Sequence, residues 1–103
     1  MAVKSHQTIV QHFANLPDPR VGNAKRHELL DILVIALCAI ICGANSWVEI
    51  ELWGKANLLW LRTFLTLANG VPSHDTVGRV FARLDPHAFR ACFVSWIRAI
   101  SQL

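Results

Sequence analysis

The chain has 103 residues, of which 53% are apolar and 17% charged, and a net charge of +3. That length holds one domain with one modest core, and the composition excludes an intrinsically disordered chain. Three cysteines, an odd number without a secretory signal, exclude a disulfide framework, and the mild positive balance admits an anionic partner without requiring one.

No period-2 pattern stands out, and the apolar spacing reads as helical throughout. A first helix is expected over about Ser5 to Asn15, with Ser5 as N-cap and Ile9, Val10 and Phe13 on one face. Pro17 and Pro19 stop it. The connector PDPRVGNAKRH carries Arg20, Lys25, Arg26 and His27 and reads either as a solvated loop or as a basic arm that touches a phosphate backbone.

A second helix, from about Glu28 to Cys42, is apolar nearly all round and belongs at the centre of the fold, with Gly43 as its stop. Its charge-free run from Ile32 to Ala44 is shorter than the roughly 20 residues a membrane span needs. A small membrane-associated protein built on that run is therefore the weaker reading. Cys38, Cys42 and Cys92 read as small core residues, and their spacing fits no zinc pattern. Ser46 to Glu49 forms a capping box that opens a third helix, with a bend or break expected near Gly54. A further helical piece spans about Asn57 to Leu65, and TLANGVP is a turn.

In GVPSHDTVGRV, Ser73 is the expected N-cap and His74, Asp75 and Thr76 the first helical turn. Val77, Val80, Phe81 and Leu84 make the buried stripe. The other face carries Gly78, Arg79, Ala82 and Arg83, where two small residues would let a partner approach closely. Neighbours on a helix point roughly 100° apart, so His74 and Asp75 are not expected to converge as an acid–base pair. The face reads either as a solvated one or as the recognition half of a helix-turn-helix, with Arg79 and Arg83 reaching outward. Asp85 and Pro86 then start a last helix with Phe89, Phe93, Trp96, Ile97 and Ile100 as its apolar stripe, and the chain ends inside that pattern, as if cut through a helix or linker.

The blocks FANLPDPR, HELLDILVIALCAIICGANSW, GVPSHDTVGRVFARLDPHAF and CFVSWI, in this order, resemble the N-terminal region of bacterial insertion-sequence transposases, in particular the H-repeat-associated proteins. The resemblance runs from about Ile9 to Ile100. It implies a small domain that precedes an RNase-H-like catalytic domain in which three acidic residues hold divalent metal ions. The first of those acids lies in an aspartate-glycine-lysine motif that this sequence does not contain. No catalytic residue is therefore carried over, no cofactor is expected in this part, and the chain is not expected to transpose by itself.

The expectation is an all-α domain, a compact bundle of five to six helices with a helix-turn-helix-like pair. Residues 1–16 form the first helix, 17–27 a basic linker and 28–103 the helical core, and the catalytic domain is absent. The implied function is DNA binding or assembly in transposition, on terminal inverted repeats, in the cytoplasm. The candidate DNA contacts are Ser73, His74, Thr76, Arg79 and Arg83 by helix geometry, with Arg20, Lys25 and Arg26 as a second set. The alternative is a protein-interaction module that dimerises the transposase or packs on its catalytic domain.

Overall fold

The structure is a computed structural model that describes residues 9–20 and 26–101. The described residues form helices and no strand: α1 (9–13), α2 (Leu29–Ile41), α3 (Trp47–Ala56), α4 (Leu58–Leu61), α5 (His74–Arg83) and α6 (Pro86–Ser101). The Cα radius of gyration is 13.1 Å, which matches the roughly 13 Å of a folded domain of about 100 residues. The all-α expectation holds. Ser5, the expected first N-cap, lies outside the described residues.

Helix α2 forms the middle of the core. Every side chain from Ile32 to Leu37 is buried, as its apolar sequence demands. Its last turn is different: Ile40 and Ile41 are 49% and 69% exposed. Gly43 ends the helix at φ +105°, a left-handed conformation that glycine adopts without a steric penalty. The cysteines are not core residues as expected. Cys42 lies in this exposed C-terminal turn, and Cys38 and Cys92 are only half-buried. Burial, and then the neighbouring Cys42, pushes the Cys38 thiol up to about 11, so it is a poor nucleophile.

Helix α3 is the hub, packing against α2, α4 and α5. Ser46 caps it by accepting from the Glu49 amide at 3.1 Å. The Glu49 carboxylate reaches back one residue further than a standard capping box, to the Asn45 amide at 2.7 Å. The break expected near Gly54 occurs, but not at the glycine itself. Gly54 is buried inside α3, and a Cβ there would lie 2.8 Å from Val71 Cγ1 and 3.2 Å from Ile35 Cγ2. Glycine is present because the backbone of α3 meets two other segments here. The interruption comes at Asn57 instead, and α4 is a single turn rather than a helix to Leu65.

The residues 62–73 between α4 and α5 make a longer connection than the tight turn expected. Arg62 Nη2 and the Gly70 amide both donate to the Leu67 carbonyl, at 3.2 and 3.0 Å. Leu67 itself is 2% exposed with φ 47°, a strained conformation that its burial in the core sustains. Helix α6 folds back so that Phe89 meets Phe13 of α1 and Phe81 of α5, with centroids 5.7 and 5.8 Å apart. Trp96 is buried, whereas Ile97 stays 37% exposed at the edge of the expected stripe.

Candidate nucleic-acid interface

Helix α5 starts where the sequence places it. Ser73 Oγ accepts from the Thr76 amide at 3.2 Å and donates to Thr76 Oγ1 at 3.1 Å, so the two hydroxyls lie together at the helix N-terminus. Val77 and Val80 anchor the buried face, at 0% and 2% exposure. Gly78 is not an open site for a partner's backbone, as its position on the outer face suggested. Trp47 of α3 covers it, with Cδ1 3.2 Å from where a Cβ would lie, and the same indole meets the Phe81 ring at 5.6 Å. Arg79, Ala82 and Arg83 are exposed.

The described ends of the linker, at Arg20 and at Arg26 and His27, lie beside this helix. Asp18 holds Arg20 through a fork: Nε donates to Oδ1 at 3.0 Å and Nη2 to Oδ2 at 2.8 Å. The Arg26 carbonyl accepts from Asn69 Nδ2 at 2.8 Å, which ties the end of the linker to the 62–73 connection. Between linker and α5 lies an open groove of about 590 Å³. One wall carries Arg20, Arg26 and His27. The other carries Ser73, Thr76, Arg79 and Arg83, and Val71 and Val80 supply apolar surface. No carboxylate lines the groove among the described residues. The charge is felt locally: burial, then Arg26 and Arg20, holds the His27 imidazole below its ordinary value of 6.5.

Six of the eight sequence-derived candidates therefore share one groove: Arg20, Arg26, Ser73, Thr76, Arg79 and Arg83. Lys25 lies outside the described residues. His74 is placed elsewhere. Its amide and its Nδ1 both donate to Glu51 Oε1 of α3, at 2.7 and 2.8 Å. The ring, pinned there, brings Nε2 to 3.5 Å from Asp75 Oδ1, so these neighbours approach each other, contrary to expectation. Glu51 also pairs with Lys55 at 2.6 Å. Bonds from Lys55 and His74 hold its carboxyl down at about 2. This cluster fastens the start of α5 to α3. His27 and Asn69 complete the groove and were missed as site residues. His27 sits in the basic stretch that drew attention to its neighbours, but Asn69 is 43 residues from its partner and only the fold reveals it.

Among the described residues no group of three or more His, Cys, Asp or Glu side chains is placed to hold a metal ion. No described helix is long and apolar enough to cross a membrane. The arrangement suits electrostatic and hydrogen-bonding contact with an oxyanion.

Comparison with known proteins gives this geometry its context. A protein described as "Uncharacterized protein in dhlA 3'region", from Xanthobacter autotrophicus, is 52% identical over 85 residues, which is 82% of this chain and 29% of that protein. The "H repeat-associated putative transposase YhhI" of Escherichia coli K12 is 38% identical over 90 residues, covering 87% of this chain and 24% of that one. The chain thus spans 24 to 29% of these relatives' length. A shorter relative, the "Inactive transposase YbfQ" of the same strain, is 37% identical over 75 residues, 73% of this chain and 89% of its own. No solved structure matches. The DDE_Tnp_1-associated family model matches residues 10–97, and the chain belongs to that family.

Proposed function

We propose that this domain engages DNA during transposition, without catalysing strand transfer itself, by seating the phosphate backbone in the groove between the linker and α5. The observation that carries the reading is the convergence of Arg20 and Arg26 with Arg79 and Arg83 around the paired hydroxyls of Ser73 and Thr76. Guanidinium forks match phosphate oxygens. The dipole of α5 adds a positive potential at the same end, although the His74 and Thr76 amides there already donate to Glu51 and Ser73. Such contacts position a protein on DNA, and sequence is read by side chains that reach base edges. Arg79 and Arg83, one turn apart and exposed, can extend from the phosphate towards bases. Helix α5 then acts as the recognition helix of a helix-turn-helix-like pair in which α3, not a helix joined by a tight turn, is the brace. The terminal inverted repeats of the element are the proposed target, and the cytoplasm, where bacterial DNA lies, the working compartment. Divalent metal belongs to the catalytic part of the longer family members, so DNA binding here should survive chelation.

A titration of labelled duplexes carrying element ends, beside a scrambled control at two salt concentrations, tests this. Arg79→Ala and Arg83→Ala are each expected to weaken binding and to lower the salt slope by about 1. Unchanged affinity in both variants would remove the groove from the mechanism.

One observation favours a second reading, a module for self-association or for packing on the catalytic domain. Ile41, Val48, Leu52 and Leu59 are 69, 49, 60 and 84% exposed. Apolar surface of that kind commonly marks a protein contact. Concentration-dependent dimerisation without DNA affinity would select it.

A further inference from the structure

We propose that His27 takes up a proton when a DNA phosphate seats in the groove, so that the domain's grip on DNA tightens as pH falls. This rests on the groove being the phosphate site.

The geometry supplies the coupling. His27 lines the groove beside Arg26, with Arg20 on the same wall and Arg79 and Arg83 on the other. Its backbone has little freedom: Glu28, the next residue, is the N-cap of α2, and the Arg26 carbonyl before it is held by Asn69. Among the described residues, the acidic groups on the elements that border the groove are Asp18, which is committed to Arg20, Glu28 and Asp31 at the start of α2, and Asp75 on the first turn of α5. Arginine stays charged at any relevant pH, whereas imidazole is the side chain that titrates between pH 5 and 8.

In the free domain, burial and then the charges of Arg26 and Arg20 act against a protonated ring. A phosphodiester offsets the positive field of the groove and offers an acceptor for the ring N–H. The proton is then worth more in the complex than in the free domain. By linkage, whatever raises proton affinity on binding makes binding tighter as pH falls through that window. No covalent step is involved. One proton moves from solvent to the imidazole, and it leaves again when the DNA dissociates.

The test is a titration of this chain with a labelled duplex from pH 5.5 to 8.5 at constant ionic strength. Wild type, His27→Gln, His27→Lys and His74→Gln are compared. Wild-type affinity is expected to fall roughly three- to tenfold between pH 6 and pH 8, as one coupled proton requires. His27→Gln should bind without that slope and match wild type near pH 8. His27→Lys, a permanent cation, should also lose the slope but hold the tighter affinity throughout. His74→Gln, whose ring lies outside the groove, should keep it. A wild-type profile that is flat, or a slope that survives in His27→Gln, overturns the proposal while leaving the groove reading intact. Absence of binding at every pH in low salt overturns the groove reading and this inference with it.

Discussion

On the side of α5 that meets α3, Val77 and Val80 are buried and Trp47 closes over Gly78. On the side that meets the linker, Arg79 and Arg83 stand around an open groove with Arg20 and Arg26. One ten-residue helix thus belongs to two regions held by different physics. The packed side depends on shape, because an interior at crystal-like density transmits a change of one methyl group. The groove depends on charge, which acts over several ångströms, weakens with salt and tolerates rearrangement. Damage to the packed side should therefore appear as lost stability, and damage to the groove as lost affinity with stability kept. The regions meet at Val80, buried yet bordering the groove, and at Val71, which lines the groove and also packs against Gly54.

Val71 is where the separation should fail most visibly. In Gly54→Val the first carbon would lie 2.8 Å from Val71 Cγ1, and a valine methyl cannot swing away as a long side chain can. Overpacking of this kind costs about 2–3 kcal/mol, which for a domain near 100 residues lowers Tm by on the order of 10 °C. A thermal melt checks the first part. Because Val71 must move, DNA affinity measured well below the melt should fall as well. A variant that melts early yet binds like wild type would show that the groove is insulated from the packed side.

The two regions also differed in how much of them could be read from the sequence. The buried stripe of α5, the central place of α2 and the caps Ser46, Ser73 and Asp85 are local signals of spacing and side-chain chemistry, and they hold in the structure. The roles of Gly54 and Gly78 were misread for one shared reason. A glycine's neighbours across the fold decide whether it breaks a helix, opens a face or admits a close contact. Val71 and Ile35 decide it for Gly54, and Trp47 for Gly78. The groove residues were legible one by one as basic or hydroxyl-bearing. Their assembly was not, because Arg20 and Arg26 are more than fifty residues from Arg79 in the chain. His74 shows the converse: a residue that looks suited to DNA from its helix position is engaged by a carboxylate 23 residues away.

Glu51, that carboxylate, gives a smaller and more selective break. It joins α3 to the α5 N-terminus by accepting from the His74 amide and ring. Glu51→Gln keeps the shape and removes the charge, and a charge-assisted bond of this kind is worth about 1 kcal/mol more than its neutral counterpart. The pH dependence has a definite sign. The folded-state value is lowered, from an ordinary 4.5 to about 2, so the stabilisation is complete above the unfolded-state value and is lost as pH falls through the folded-state one. Denaturant melts of wild type and variant should therefore differ by a constant amount above about pH 5 and converge towards about pH 2. Affinity for DNA near neutral pH should be nearly unchanged.

The finest test lies inside the groove. Asp18 occupies both the Nε and the Nη2 of Arg20 and also accepts from the Arg20 amide at 3.0 Å. An arginine so committed offers a phosphate fewer free donors than Arg79 or Arg83, and the carboxylate cancels much of its field. Asp18→Asn removes one negative charge while leaving an oxygen for the backbone contact. If the groove works by summed charge, the variant should bind DNA a few-fold more tightly at low salt, with a salt slope steeper by up to about 1. If Arg20 contributes by being held in one orientation, affinity should fall instead and the slope should stay the same. Stability should fall by about 1 kcal/mol in either case, since the fork loses its charge assistance. The direction of the affinity change thus distinguishes a groove that attracts phosphate from one that positions it.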